Sequence, residues 1–234
     1  RDIQRDLLPK ESPRGAGFDV AGFNRPADET GGDIYDFVPR ADGRWMLSVA
    51  DATGHGIGPA LIIAETRAIL RAVGRGEPDP AAVLGAANDM LSADLDNGRF
   101  VTCFLGTLDL RAASLRYASA GHGPLLFYTR RDDRFEQTPA SGPPLGIVEG
   151  TDFGPATRFD FQPGDFAVIT TDGFFEASNA RDEQFGMERM TDVLRKARDL
   201  PAAEMIEVLH AAVCEFAAGE PQADDLTAVV IRRD

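Results

Sequence analysis

The sequence predicts an α+β fold in which two antiparallel sheets pack face to face and a helix pair covers each outer face. The predicted elements run in the order strands, two helices, many strands, two helices and one strand. Because helices do not alternate singly with strands, this order excludes a doubly wound parallel sheet. The 234 residues, 43% of them hydrophobic, can bury one sizeable core and fit one large domain better than two.

The first half of the chain contains three predicted strands and two predicted helices. A turn at residues 41–43 joins the second and third strands as a hairpin. Pro59 lies where a first-turn proline is tolerated, and Asp79 can cap the second helix ahead of Pro80. The expected elements are strands over Phe18–Phe23, Thr30–Phe37 and Trp45–Ala50, and helices over Ala60–Val73 and Pro80–Leu95, the latter stopped by Asp96-Asn97-Gly98.

The second half returns to β structure before a second helix pair. The turn residues Gln162–Asp165 predict a hairpin between the strands on either side of them. The expected strands are Phe100–Leu110, Leu115–Ala120, Leu125–Thr129, Thr157–Phe161, Phe166–Thr171 and Leu226–Arg232, and the expected helices are Met187–Arg198 and Ala202–Ala217.

The N-terminal segment, residues 1–17, is expected to be a helix stub followed by a linker, ahead of one domain over residues 18–234. Ile3, Leu7 and Leu8 share one helical face, and Pro9 stops the helix. So short a helix is not stable alone, so it must dock on the domain or continue upstream. The chain starts at Arg1 without a methionine, so we expect it to be a piece of a longer protein.

Composition excludes several classes of partner. Lys plus Arg is 24 and Asp plus Glu is 38, and the resulting net charge of -14 disfavours nucleic acids and anionic membranes. Cys103 and Cys214 lie in apolar stretches without CxxC spacing, which predicts buried free thiols in a reducing compartment. With no apolar run long enough for a membrane span and no signal peptide, we expect a cytoplasmic protein.

Aspartates recur at predicted strand ends beside glycines. Asp33 follows two glycines at the start of a strand, Asp51 and Asp172 each end a strand, and Asp224-Asp225 precede the last strand. Any one of them could simply be a turn residue. If these ends meet at one edge, however, the carboxylates would repel one another, and Mg²⁺ or Mn²⁺ would relieve that repulsion. Two such ions can activate a water for in-line attack on phosphorus.

Histidine and arginine have weaker claims to a functional site. The three histidines are too few and too scattered for a rich zinc site. His55 could donate a proton, but a structural hydrogen bond in its glycine turn is favoured. His122 is expected to fix a turn, and His210 to lie on a helix. Arg25 could meet a phosphate, although a solvated surface position is favoured.

Seven short motifs, in order and covering nearly the whole chain from residue 18, carry a family resemblance. The chain resembles the SpoIIE-like (RsbU-type) branch of the metal-dependent Ser/Thr protein phosphatases, the PPM superfamily. The motifs are Gly31-Gly32-Asp33-Ile34-Tyr35-Asp36, Asp51-Ala52-Thr53-Gly54-His55-Gly56, Phe100-Val101-Thr102, Ser119-Ala120-Gly121-His122-Gly123-Pro124, Pro144-Leu145-Gly146, Thr171-Asp172-Gly173 with Glu176-Ala177, and Asp224-Asp225-Leu226-Thr227.

The resemblance implies a four-layer α-β-β-α sandwich with two or three Mn²⁺ or Mg²⁺ ions. Asp51 would bridge two ions, and Asp172 and Asp224 would complete the ligands of the first. These three would act in catalysis through a metal-activated water. The further implied ligands are Asp33 at the second ion, the Ala52 carbonyl where the wider superfamily usually has glycine, and Asp225, ranked behind Asp224. Asp36, His55 and Glu176 are expected around the ligand set rather than in it.

The implied function is a protein-serine/threonine phosphatase in which a metal-bound hydroxide attacks phosphorus directly. The implied substrate is a phosphorylated STAS-domain protein, an anti-sigma-factor antagonist in bacterial partner switching. An upstream sensor or dimerisation domain and a homodimer are the other expected partners. Two alternatives remain open: a degenerate domain that binds a phosphoprotein without hydrolysing it, and a regulatory module whose aspartates are turn residues. Activity on a chromogenic phosphate ester and calorimetry with Mn²⁺ would distinguish them.

Overall fold

The computed structural model describes residues 6–15, 17–77, 79–95 and 98–234. The predicted start of the N-terminal helix, with Ile3, and the predicted helix stop at Asp96-Asn97 lie outside these residues. Two antiparallel sheets pack face to face and carry helices on both outer faces. The predicted four-layer sandwich is therefore confirmed.

All strand pairs within the two sheets are antiparallel. The six-stranded sheet has the spatial order β1 (Arg14–Gly15), β2 (Phe18–Arg25), β11 (Leu226–Arg233), β10 (Phe166–Thr170), β7 (Leu125–Thr129) and β8 (Arg134–Thr138). The five-stranded sheet has the order β3 (Asp33–Pro39), β4 (Trp45–Ala52), β5 (Val101–Asp109), β6 (Ser114–Ala120) and β9 (Thr157–Asp160).

Two long helices cover each sheet. The helices are α1 (Ile57–Val73), α2 (Pro80–Asp94), the short α3 (Gly173–Glu176), α4 (Gly186–Ala197) and α5 (Ala202–Ala217). Helices α1 and α2 pack on the five-stranded sheet, and α4 and α5 pack on the six-stranded sheet. As predicted, Pro80 opens α2, and the Asp79 side chain accepts a hydrogen bond from the Ala81 amide at 3.2 Å.

Side-chain alternation on β11 fixes the register of the strand that leads out of the acidic motif. Val229 and Ile231 are buried between the sheets, whereas Ala228 and Val230 are buried under the helices. Burying a valine or isoleucine side chain contributes about 1.5–3 kcal/mol. A slip by one residue would exchange the two faces. The packing therefore determines where Asp224, just before the strand, must lie.

The predicted hairpin around Gln162–Asp165 is wrong. Strand β9 pairs with β6 in one sheet, whereas β10 pairs with β7 and β11 in the other. The turn instead carries the chain between the sheets, and the Asp165 carboxylate accepts the Gln162 amide at 2.7 Å and the Arg130 amide at 2.8 Å. Phe161 follows β9 into the core between the sheets, where its ring lies 5.4 Å from that of Phe18. Because Phe18 belongs to β2 of the six-stranded sheet, this contact packs the two sheets together where the chain crosses between them.

The N-terminal residues that the structure describes are integrated into the domain. Leu7 packs on the core under α1 and α2, and Leu8 contacts both that core and the core between the sheets. Strand β1, inside the predicted linker, pairs with the start of β2. Of the two alternatives for the stub, docking is the one observed for the described part.

The two cysteines differ in environment. Cys103 is buried and Cys214 is exposed, so the expectation of two buried thiols is wrong for Cys214. Helix α5 turns Leu209 and Val213 into the core, and Cys214, one position on, faces outward. Within the described ranges, no helix has both the length and the apolar character that crossing a membrane requires.

Candidate functional site

The predicted aspartates meet where strand ends of both sheets lie side by side. Asp33 and Asp51 are direct partners in the pairing of β3 with β4. Asp172 follows the end of β10, and Asp224 precedes the start of β11. These two strands are neighbours in the six-stranded sheet, whereas β3 and β4 belong to the five-stranded sheet. The Thr171 hydroxyl donates to Asp33 Oδ2 at 2.6 Å and thereby joins the two sheets at this edge.

Asp33 is the most buried carboxylate of the site, with 3% of its surface exposed. It shares a face of β3 with Tyr35, which packs between the sheets. Burial raises the pKa of Asp33 well above its usual value, and the neighbouring Asp51 charge raises it further. In the metal-free protein, burial and the Asp51 charge therefore both favour the protonated form of Asp33.

Asp51 is the electrostatic centre of the group. Burial raises its pKa to about 7, with further contributions from the charges of Asp172 and Asp224. Those two residues come from the six-stranded sheet, whereas Asp51 ends a strand of the five-stranded sheet. Asp51 is thus repelled by carboxylates that belong to the opposite sheet.

Asp172 and Asp224 are the more accessible members. Burial raises the pKa of Asp172, and the Glu176 carboxylate adds to that effect. Burial also raises the pKa of Asp224, as does Asp172. Asp224 is exposed, and its Oδ1 accepts the Asp225 amide at 2.8 Å. Both carboxylates can therefore reach a ligand from solvent.

Asp225 differs because its oxygens already have backbone partners. Its Oδ1 accepts the Ala27 amide at 2.7 Å, and its Oδ2 accepts the Asp33 amide at 3.3 Å. A Cβ on Gly31 would lie 2.1 Å from Asp225 Oδ2, so this close approach requires glycine. Asp225 thus holds the loop that delivers Asp33.

Gly32, like Gly31, permits a close approach that a side chain would block, in this case to Ala52. The Ala52 amide donates to the Gly32 carbonyl at 2.9 Å, and a Cβ on Gly32 would lie 2.7 Å from the Ala52 carbonyl oxygen. Only glycine can therefore approach the buried Ala52 carbonyl so closely. The hydroxyl of the next residue, Thr53, is engaged locally with the backbone of Phe100.

The three residues expected around the ligand set have different positions. Asp36 faces α1, where it pairs with Arg67 at 3.2 Å and with Arg71 at 2.8 Å, and so lies away from the carboxylates. His55 is exposed and lies 3.6 Å from Asp28. Glu176, at the end of α3, is close enough to influence Asp172. Of the three, only Asp36 is turned away from the site.

Sequence reasoning assigned His122 to a turn and missed its link between the sheets. The ring is buried, and its Nδ1 lies 3.1 Å from the hydroxyl of Thr102, the residue that pairs with Asp51. The ring also lies near the backbone of Thr170, two residues before Asp172. Burial lowers the pKa of His122 to about 4, so the ring is neutral. Through Thr102, it supports the strand that pairs with Asp51.

The carboxylates lie along one edge of the sheets and do not surround a single metal position. Among the residues that the structure describes, no three His, Cys, Asp or Glu side chains form a group that could hold a metal ion by themselves. A cation here would need further oxygen ligands. Mg²⁺ meets that requirement, because it keeps several waters and takes only one or two carboxylates from the protein.

A comparison with known families identifies the chain. The model of the family described as Stage II sporulation protein E (SpoIIE) matches residues 41–234. The chain belongs to the SpoIIE family. Its match covers the strand end at Asp51 and every later motif of the site.

Individual relatives agree with this assignment. Phosphoserine phosphatase RsbU of Bacillus subtilis (strain 168) is 27% identical over 99% of this chain and 68% of its own length. The SiaA-PP2C domain of Pseudomonas aeruginosa is 26% identical, with a TM-score of 0.85 over 99% of this chain and 93% of that one. RsbX in complex with magnesium shares the fold, with 15% identity and a TM-score of 0.70 over 95% of this chain and 98% of that one. The predicted family and enzyme class, a PP2C-type serine/threonine phosphatase, are confirmed.

Proposed function

We propose that this SpoIIE-family domain hydrolyses phosphoserine or phosphothreonine in a protein substrate and uses two divalent cations, Mn²⁺ or Mg²⁺. One observation carries the proposal. Asp51 lies at the meeting point of the two sheets, and its pKa is raised to about 7 by burial and by carboxylates of the opposite sheet. Burial and neighbouring carboxylates both disfavour the charged form of Asp51, and bound cations would offset both effects.

The donor set fits hard divalent ions. The proposed ligands are all oxygens: the carboxylates of Asp33, Asp51, Asp172 and Asp224 and the carbonyl of Ala52. Oxygen ligands favour Mg²⁺ and Mn²⁺ over softer metals. RsbX, which shares this fold, was solved with magnesium. When bound, such ions supply Lewis acidity to water and to phosphate oxygens.

The chain's own residues position these donors. Thr171 fixes Asp33 through its hydroxyl, and Asp225 fixes the preceding loop through two backbone amides. We therefore place Asp225 outside the ligand set, as a positioning residue. Burial and mutual repulsion favour protonation of Asp33 and Asp51 in the metal-free cluster, and cation binding would require both carboxyl groups to be ionised. His55, exposed beside Asp224, is available to solvent and substrate.

For the substrate we infer a phosphorylated STAS-domain protein. The support is the family resemblance, in particular to RsbU, a phosphoserine phosphatase. A comparison of two purified phosphoproteins tests this inference: a phosphorylated STAS-domain protein and an unfolded phosphoserine protein. A preference of less than about tenfold in kcat/KM, equivalent to about 1.4 kcal/mol, would reject it.

The experiment for the proposed function uses a chromogenic phosphate ester with Mn²⁺. Wild-type protein should turn over the ester, and Asp51→Asn should lose more activity than Asp33→Asn because Asp51 is expected to contact both ions. Asp132→Asn, an exposed change in the turn between β7 and β8, is the matched control and should keep full activity. Binding of a phosphoprotein without any turnover by the wild type would instead identify a degenerate phosphatase.

A further inference from the structure

A cleft of about 510 Å³ opens directly beside the proposed centre. Asp224 belongs to both, and the lining residue Gly173 directly follows Asp172, so the cleft adjoins the carboxylates. Its far side is the C-terminal half of α5. This volume lies within the range of about 300–1,000 Å³ that is typical of ligand sites, and it can hold a few residues of an extended polypeptide.

The outer wall of the cleft is a loop ordered by its own hydrogen bonds. Asn179 Oδ1 accepts the amides of Arg181 and Glu183 at 2.9 and 3.2 Å. The Asn179 backbone amide also donates to the Glu183 carbonyl at 3.1 Å, and this bond closes the loop around Asp182. A wall built in this way is preformed, so a ligand need not order it.

The opposite wall is fastened to the end of β2. The Gln222 side-chain amide donates to the carbonyls of Arg25 and Asp224 at 2.9 and 2.8 Å. The Arg25 guanidinium lies 3.1 Å from His210 Nε2. The Gln222 side chain thus ties the segment that carries Asp224 to the end of β2.

The lining combines an apolar floor with an acidic rim. Val213, Ala217 and Leu226 contribute apolar surface. The charged lining residues, apart from Asp224 of the metal site, are Arg25, Glu176, Asp182 and Glu220. The three carboxylates outnumber the one guanidinium, whose nearest partner is His210.

We propose that this cleft binds the polypeptide segment flanking the phosphorylated residue and that it selects a segment carrying Lys or Arg. The inference rests on the proposed function, because the phosphate must lie at the adjacent carboxylates. A lysine or arginine matches the lining in two ways. Its aliphatic stem can lie on the apolar floor while its charged head reaches the acidic rim. An acidic segment would meet three carboxylates instead.

Synthetic phosphoserine heptapeptides test the proposal with the full chain and Mn²⁺. The peptides place a single Lys or Glu at each of the positions two residues before and two residues after the phosphoserine, in an alanine background. At low ionic strength the best Lys peptide should exceed its Glu counterpart by about five- to tenfold in kcat/KM, as expected for a few exposed charge pairs. The difference should lie in KM, since these side chains do not touch the reacting atoms.

A double variant, Asp182→Asn with Glu220→Lys, should reduce that ratio to less than about twofold. Asparagine is chosen because Asp182 has a φ of 58°, which asparagine tolerates. The matched control, Asp132→Asn with Glu149→Lys, makes the same charge change at exposed positions outside the cleft and should keep the wild-type ratio. Both double variants should retain wild-type turnover of the chromogenic ester.

Equal cleavage of Lys and Glu peptides by the wild type would overturn the proposal, as would a preference that survives in the cleft variant. Binding of fluorescein-labelled peptides, followed by anisotropy, provides a readout that does not need turnover. Failure of the wild type to hydrolyse the chromogenic ester would reject the proposed function, and the anisotropy ratio would then decide the cleft separately.

Discussion

Replacing Asp51 with asparagine should abolish activity and, in the absence of metal, make the domain more stable. Asp51 is the carboxyl group on which burial and the charges of Asp172 and Asp224 act together. Asparagine keeps the size of the side chain but carries no charge. The substitution therefore removes repulsion without creating a cavity.

The sign and size of the effect follow from the pKa of Asp51. It rises from 3.8 to about 7 on folding, so the folded state favours the protonated form. This stabilisation is complete below the unfolded-state pKa and is lost as the pH rises through about 7. At about 1.4 kcal/mol per unit, the shift corresponds to at most roughly 4 kcal/mol. Solvent around the exposed Asp224 screens part of the repulsion, so we expect a gain of about 2–4 kcal/mol at pH 8.

Urea unfolding in EDTA at pH 8 and at pH 4 measures this gain. Asp51→Asn should exceed wild type in unfolding free energy at pH 8 and match it within about 1 kcal/mol at pH 4. Adding Mn²⁺ should stabilise the wild type and have much less effect on the variant. Asp132→Asn should follow the wild type throughout. A variant that is less stable than wild type in EDTA at pH 8, or equally stabilised by Mn²⁺, would refute the reasoning.

Chelation should abolish ester hydrolysis and Mn²⁺ should restore it; full activity after dialysis into EDTA would exclude metal-dependent chemistry. Phosphate release, measured by a colorimetric assay, should be faster from phosphoserine protein than from phosphotyrosine protein, and the reverse order would contradict the proposed specificity. Asp36→Asn should lower the unfolding free energy by about 3–5 kcal/mol because it leaves Arg67 and Arg71 without their buried partner. As a control, Asp42→Asn, at an exposed ion pair with Arg44, should lower the unfolding free energy by less than about 1 kcal/mol. Equal losses for the two variants in urea unfolding would contradict a special role for Asp36.

Local sequence signals predicted the strands and helices well where side chains alternate or repeat with helical period. The bounds of α5, Ala202–Ala217, agree fully with the sequence prediction, because its apolar spacing is continuous. The hairpin around Gln162–Asp165 failed for a different reason. Turn residues indicate that the chain reverses, but they do not indicate which sheet each strand joins. That choice depends on pairing between distant segments, here β9 with β6 and β10 with β7 and β11.

The edge strand β8 and the orientation of Asp36 illustrate two further limits. Strand β8 was not predicted from the sequence. It is polar and largely exposed, so it lacks the alternation on which strand prediction depends. Asp36 was expected near the metal ligands, yet it lies three residues after Asp33 on the same strand. Successive side chains of a strand alternate between faces, so this odd spacing already placed the two carboxylates on opposite sides.

The carboxylates that converge at the centre were identified from strand ends, but their convergence depends on packing of the two sheets. Asp51 belongs to one sheet and Asp172 and Asp224 to the other, and Thr171 joins the halves through Asp33. The core between the sheets must therefore hold the charges together against their repulsion, which is greatest when no cation is bound. Cations that bind only the assembled edge stabilise the folded state by mass action. Metal affinity and the packing of the two sheets are consequently coupled, and a substitution that loosens the inter-sheet core should weaken metal binding even at a distance from the aspartates.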